Sequence, residues 1–334
     1  MNTPRLLTAS VATVAALGLV LTGCGSPAGS NPSDSATGKL FTIGSAVIVS
    51  HPALQAVQDG FEEVLKEQNI NYKMINENAQ GDQANATTIA STFAANKDID
   101  LVLAISTPIA LAMASAIQDR PILFSAVTDP VDAGLVPSWD QAGANITGTS
   151  DLNPDAKPVS LVQEAMPNVK TIGVLYSSAE QNSLSQLKAY QDEAGPLGLT
   201  IKPQAITAAS EINTGLAALK GVDAILIPTD NTVVAAIGSV IQFGQENKIP
   251  VFCADTSTVT LGTVATRGLS YHDLGRATGD MAVSILRDGT PISTIKPEAT
   301  TSTELIVNPD AAQKFGLTLP PDFVAKGTTV TTQS

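Results

Sequence analysis

From Phe41 onward the chain passes twice through one order of segments, with a period of about 125 residues. That repetition is the strongest constraint on its fold. In the first half, Phe41–Val47 reads as a strand, a polar loop reaches Ser50-His51-Pro52, residues 53–68 read as an amphipathic helix, and 72–75 return to an extended pattern. In the second half, 170–176 is the strand, 177–183 the polar loop, 184–194 the helix and 199–202 the next strand. The parallel continues downstream. Residues 100–105 followed by Ser106-Thr107-Pro108 match 223–228 followed by Thr229-Asp230-Asn231, and strands at 121–124 and 250–252 end in Thr128-Asp129-Pro130 and in Asp255.

Alternating strands and helices predict an α/β fold of right-handed β-α-β units, with a doubly wound parallel sheet in each half. Apolar, β-branched runs bounded by turn residues fit strands covered on both faces. Ligands of open parallel sheets bind beyond the carboxyl ends of the strands, where every polar elbow just named lies. Two lobes whose strand ends face each other would line one central cleft, with a hinge between them. The chain passes to the second unit near Asp151-Leu152-Asn153-Pro154, and the second unit ends near Tyr271-His272-Asp273, after which 274–287 read as a helix.

The N-terminus points outside the cytoplasm. Arg5 precedes an apolar stretch at 6–21, too short for a comfortable membrane span, followed by small residues and Cys24, which is the pattern of a secretion signal. Leu21-Thr22-Gly23-Cys24 resembles the lipobox of bacterial lipoproteins, in which cleavage before the cysteine leaves its thiol carrying a diacylglycerol. Residues 25–38 are Gly, Ser, Pro, Asn and Ala in the main, a flexible tether of about 20 Å root-mean-square reach. With Cys24 lipidated only Cys253 remains, so no internal disulfide forms, and Cys253 in its apolar run reads as a buried hydrophobe.

The formal charge of -13 excludes a nucleic-acid surface, and loss of the signal removes Arg5 and no acid. Two histidines and one usable cysteine offer no ordinary transition-metal site, and no cofactor is expected. Catalytic motifs are also missing: there is no Gly-x-Ser-x-Gly elbow and no Walker-type phosphate loop, so an enzyme on this scaffold is the weaker reading.

The segments Ser50-His51-Pro52-Ala53-Leu54, Gly60-Phe61, Asn78-Ala79-Gln80-Gly81-Asp82, Val127-Thr128-Asp129-Pro130 with Gly134-Leu135-Val136, Asn145-Ile146-Thr147-Gly148, Asp230-Asn231 and Val307-Asn308 occur in order along the mature body. Together they resemble the ABC-type substrate-binding lipoproteins that include tryptophan- and tyrosine-binding members. The resemblance implies a type I periplasmic-binding fold with two lobes joined by three crossings. It implies a monomeric, extracytoplasmic, lipid-anchored protein that delivers a small molecule, an amino acid first among candidates, to a permease and its ATPase. On this reading residues 1–23 are the signal and 24–38 the lipidated cysteine and tether. Residues 39–150 with about 272–305 form the first lobe, and 151–271 with about 306–326 the second.

The strand-end argument nominates the site. Ser106 and Thr107 are read as hydroxyl donors to a ligand carboxylate at a helix N-terminus, or as helix caps. Asp230 would neutralise a ligand ammonium or cap its helix, with Asn231 beside it. Asn182, Ser183, Asp255 and Tyr271 follow from the lobe correspondence. Thr128 and Asp129 sit in a turn that either touches ligand or braces itself, and Ser50 and His51 occupy the first elbow. A sugar ligand is the alternative, but the single tryptophan, Trp139, lies away from the elbows.

Overall fold

The computed structural model describes residues 38–153, 155–299 and 303–333. The expected signal, Cys24 and nearly all of the tether lie outside the described residues. Among the described residues no helix is long and apolar enough to cross a membrane.

The first lobe runs β1 (Phe41–Val47), α1 (Pro52–Glu67), β2 (Tyr72–Asn78), α2 (Gln83–Ala95), β3 (Leu101–Ile105), α3 (Thr107–Ala116), β4 (Ile122–Ser125) and β5 (Ile146–Ser150). The second continues with α4 (Pro158–Ala165), β6 (Thr171–Ser177), α5 (Gln181–Ala194), β7 (Thr200–Ile206), α6 (Ile212–Ala218), β8 (Ala224–Ile227), α7 (Asn231–Val234), α8 (Ile237–Asn247), β9 (Val251–Cys253) and β10 (Ala265–Gly268). Then come α9 (Tyr271–Leu286), β11 (Glu298–Ala299), β12 (Glu304–Val307), α10 (Pro309–Lys314), α11 (Pro321–Val324) and β13 (Thr328–Thr329).

The first sheet has the order β11-β5-β4-β3-β1-β2 and is parallel throughout. The second has the order β7-β6-β8-β9, also parallel, so its β7-β6-β8 start repeats β2-β1-β3. β10, β12 and β13 form a small sheet beside it. In each main sheet the strand order reverses beside the first strand, which is where doubly wound sheets open a crevice. The fold is the expected type I periplasmic-binding architecture. Leu101–Ile105 and Ala224–Ile227 are buried at every position, as strands covered on both faces must be.

Two hydrophobic cores result, one built on β1, β3 and β4 and one on β6, β8 and β9. α9 returns to the first core and lies along α1. Two helices start earlier than their apolar periodicity predicts. α5 begins at Gln181 rather than near 184, which places Asn182 and Ser183 in a helical first turn, and α9 begins at Tyr271, because Ser270 Oγ accepts the Asp273 N–H at 3.1 Å. Cys253 is free and buried.

Candidate functional site

The strand ends of the two lobes face each other across a cavity of about 520 Å³, within the range of small-molecule pockets. Its walls are the crossing segment after β5, one face of α5, and the loop from β10 into α9. Leu152, Ala156, Leu269 and two tyrosines give it an apolar lining. Both phenols are committed elsewhere: Tyr190 donates to Gln186 Oε1 at 3.0 Å and Tyr271 to Asp151 Oδ2 at 3.2 Å. With their hydroxyls engaged, the two tyrosines contribute to the cavity chiefly as aromatic rings.

Two polar atoms at this cavity are buried without a partner. Asp151 Oδ1 is an orphan acceptor, and Asn153 Nδ2, two residues further along the crossing, is an orphan donor. Burial pushes the Asp151 carboxyl from 3.8 up to about 6, against the lowering effects first of the Thr128 side chain and then of Tyr271. Buried groups of this kind are rarely left unpaired in a finished structure.

A much smaller chamber, about 10 Å³, continues from the cavity past Thr128, Asp151, Thr229 and Tyr271. His51, Asn182, Asp230, Asn231 and Asp255 border it. His51 crosses between lobes, with Nε2 3.4 Å from Asn231 Oδ1 and Nδ1 3.8 Å from Asp255 Oδ2. Asn182 Oδ1 is a further buried acceptor without a partner.

Asp230 is fully buried, and its oxygens accept from Ser177 N (2.5 Å), Ser183 Oγ (2.7 Å) and Val233 N (2.8 Å). Burial, and then the neighbouring Glu180 carboxylate, raise its pKa. Its lone pairs are thus largely spent on capping α7 and on holding β6. Glu180 carries no signal in the sequence, yet it is 1 % exposed and accepts from the backbone N–H groups of Asn231 (3.1 Å) and Thr232 (2.9 Å) and from both side chains.

Ser106 and Thr107 are buried and are not among the lining residues of either space. Ser106 holds φ 89° and ψ 155°, a region nearly reserved for glycine, and its Oγ is unpaired. Thr107 Oγ1 accepts the Thr128 N–H at 3.4 Å. Ser50 Oγ accepts from Asn78 Nδ2 at 2.7 Å on the outer surface. Asp129 holds its own turn, and Asp255 caps the turn at Thr256–Thr258 by accepting from Ser257 N at 2.8 Å.

Residues 42–331 match the family model described as ABC transporter substrate binding protein. The chain belongs to that family. It is a binding protein rather than an enzyme. It is 36% identical to a tyrosine-binding protein of Clostridioides difficile (strain R20291) over 307 residues, 89% of this chain and 88% of the relative. An ABC domain from Streptococcus pneumoniae in complex with L-Trp is 35% identical and superposes with a TM-score of 0.83, covering 87% of this chain and all of the other. A ligand-free, open substrate-binding protein from Clostridium difficile is 38% identical over 88% of this chain and all of the other, but its TM-score is 0.64.

Proposed function

We propose that this family member captures a zwitterionic amino acid with an aromatic side chain. We further propose that it does so outside the cytoplasm, anchored by a lipid on Cys24, and that it hands the ligand to a permease and its ATPase. The observation that carries the ligand reading is the orphan pair on the crossing. An ammonium would pair with Asp151 Oδ1 and a carboxylate would accept from Asn153 Nδ2, and each would remove an unmet buried group. In this assignment Asp151 takes the ammonium role that sequence reasoning gave to Asp230, whose oxygens are already engaged. The two aromatic rings among the lining residues, Tyr190 and Tyr271, suit an aromatic side chain.

The lobes touch directly here, as in Thr128 Oγ1 to Thr229 Oγ1 at 3.3 Å. The higher TM-score to the L-Trp complex than to the open relative, at similar identity, supports reading this arrangement as the closed clamp.

Calorimetric titration with L-tryptophan, L-tyrosine and a panel of sugars, on protein unfolded and refolded to strip carried-over ligand, tests the proposal. An aromatic amino acid should bind and sugars should not; tight sugar binding by the wild type sinks the reading. The pH profile adds a second check. An ammonium pairs with ionised Asp151, so affinity should be level above about pH 6 and fall as the carboxyl takes up its proton below it. The slope approaches tenfold per pH unit, which makes binding at pH 5 about tenfold weaker than at pH 7. A flat profile between those values removes Asp151 from the ammonium site.

The anchor has its own test. Cys24→Ala should abolish labelling by a radioactive fatty acid and leave the signal uncleaved, and a labelled variant would contradict the lipobox reading.

A further inference from the structure

The turn Thr128-Asp129-Pro130-Val131-Asp132 follows β4 at the mouth of the cleft. Asp129 Oδ1 accepts from the N–H groups of Val131 (3.1 Å) and Asp132 (3.0 Å), which fixes the turn. What that brace positions is Asp132. Its exposed carboxylate reaches across to the second lobe and accepts from Gln181 Nε2 (3.1 Å) and from Ser185 Oγ, one helical turn apart on α5.

None of these three side chains lines the ligand cavity, yet the helix they grip carries Gln186 and Tyr190 into it. The contact is also easily reversed. Ser185 Oγ lies 3.0 Å from Gln181 O, its own helix carbonyl, so the hydroxyl has a partner waiting when the lobes part. Asp132 and Gln181 sit at the surface, where water satisfies them equally well.

We propose that Asp132 is a latch between the lobes, one that sets how long a ligand stays bound without touching it. The inference rests on reading the protein as a clamp that closes on an amino acid. A contact made only in the closed state acts on release more than on capture. In stopped-flow measurements with L-tryptophan and L-tyrosine, Asp132→Ala should raise koff roughly three- to tenfold and leave kon within about twofold. Asp132→Asn keeps an acceptor and should lose less.

The double variant Gln181→Ala/Ser185→Ala should lose as much as Asp132→Ala, and adding Asp132→Ala to it should change little more. An unchanged koff, or fully additive losses, overturns the latch. Failure of both amino acids to bind the wild type sinks the ligand reading instead. The latch is then decided by solution scattering of the ligand-free proteins. A wild type more compact than Asp132→Ala supports it, and superimposable curves overturn it.

Discussion

Asp151→Asn should weaken binding of the aromatic amino acid by one to two orders of magnitude while making the ligand-free protein more stable at pH 7. The two effects have one cause. Asp151 keeps its shape as Asn but loses the charge that an ammonium would meet, and hydrogen bonds between charged groups contribute about 1.5–3 kcal/mol each. In the empty protein the same charge is a burden. Burial raises the carboxyl from 3.8 to about 6, so the protonated form favours folding. That advantage is complete below the ordinary value and is gone once the pH passes about 6. At pH 7 wild type therefore carries a buried, half-satisfied carboxylate that the variant lacks, and the melting temperature of the variant should be a few degrees higher. Calorimetry and thermal unfolding on the same samples read both effects. A variant that loses stability along with affinity would show that Asp151 is a structural brace, and one that binds like wild type would leave the ligand's ammonium elsewhere.

How far the sequence reveals this site depends on which force placed each residue. The strands of both sheets are legible because burial on two faces writes an unbroken apolar run, as in Leu101–Ile105. The elbows are legible because such runs stop at polar residues, and His51, Thr128, Asn182, Asp230, Asn231, Asp255 and Tyr271 all border the inter-lobe chamber. What the elbows do is not written in them. Asp230 and Asp255 look alike as strand-end acids, and only three-dimensional packing brings Ser177 and Ser183 onto the first. Asp151 directly follows β5, so the strand-end rule applies there too, but in the sequence it belongs to the crossing and reads as a connection. Gln186 and Tyr190 gave no signal, because their spacing of four on an amphipathic helix is what an ordinary core-facing stripe looks like. Glu180 is likewise one more acid ahead of a helix until the fold buries it under Asn231 and Thr232.

Gly275→Ala should lower stability by about 3 kcal/mol, and the melting temperature by roughly 5 °C, although it adds a single methyl group at a residue that lines neither the cavity nor the chamber. α9 crosses α1 with the backbones nearly touching. A Cβ at 275 would lie 2.0 Å from the Val57 carbonyl oxygen and 2.7 Å from its carbon, and a Cβ at Gly60 would lie 2.1 Å from the His272 oxygen. Backbone atoms cannot swing aside as the end of a side chain can, so the two helices must separate. That separation reaches the site, because α1 begins beside His51 and α9 begins with Tyr271, whose phenol holds Asp151. Affinity for the amino acid should therefore fall together with stability, through displacement rather than through any lost contact. Gly238→Ala is the matched control: it lies within α8, a Cβ there meets nothing within 4 Å, and alanine suits a helix better by up to about 1 kcal/mol. A melting temperature for Gly275→Ala within about 2 °C of wild type would mean that the helices slide apart at little cost. The crossing would then be too soft to hold His51 and Tyr271 in register on the first lobe's side of the cleft.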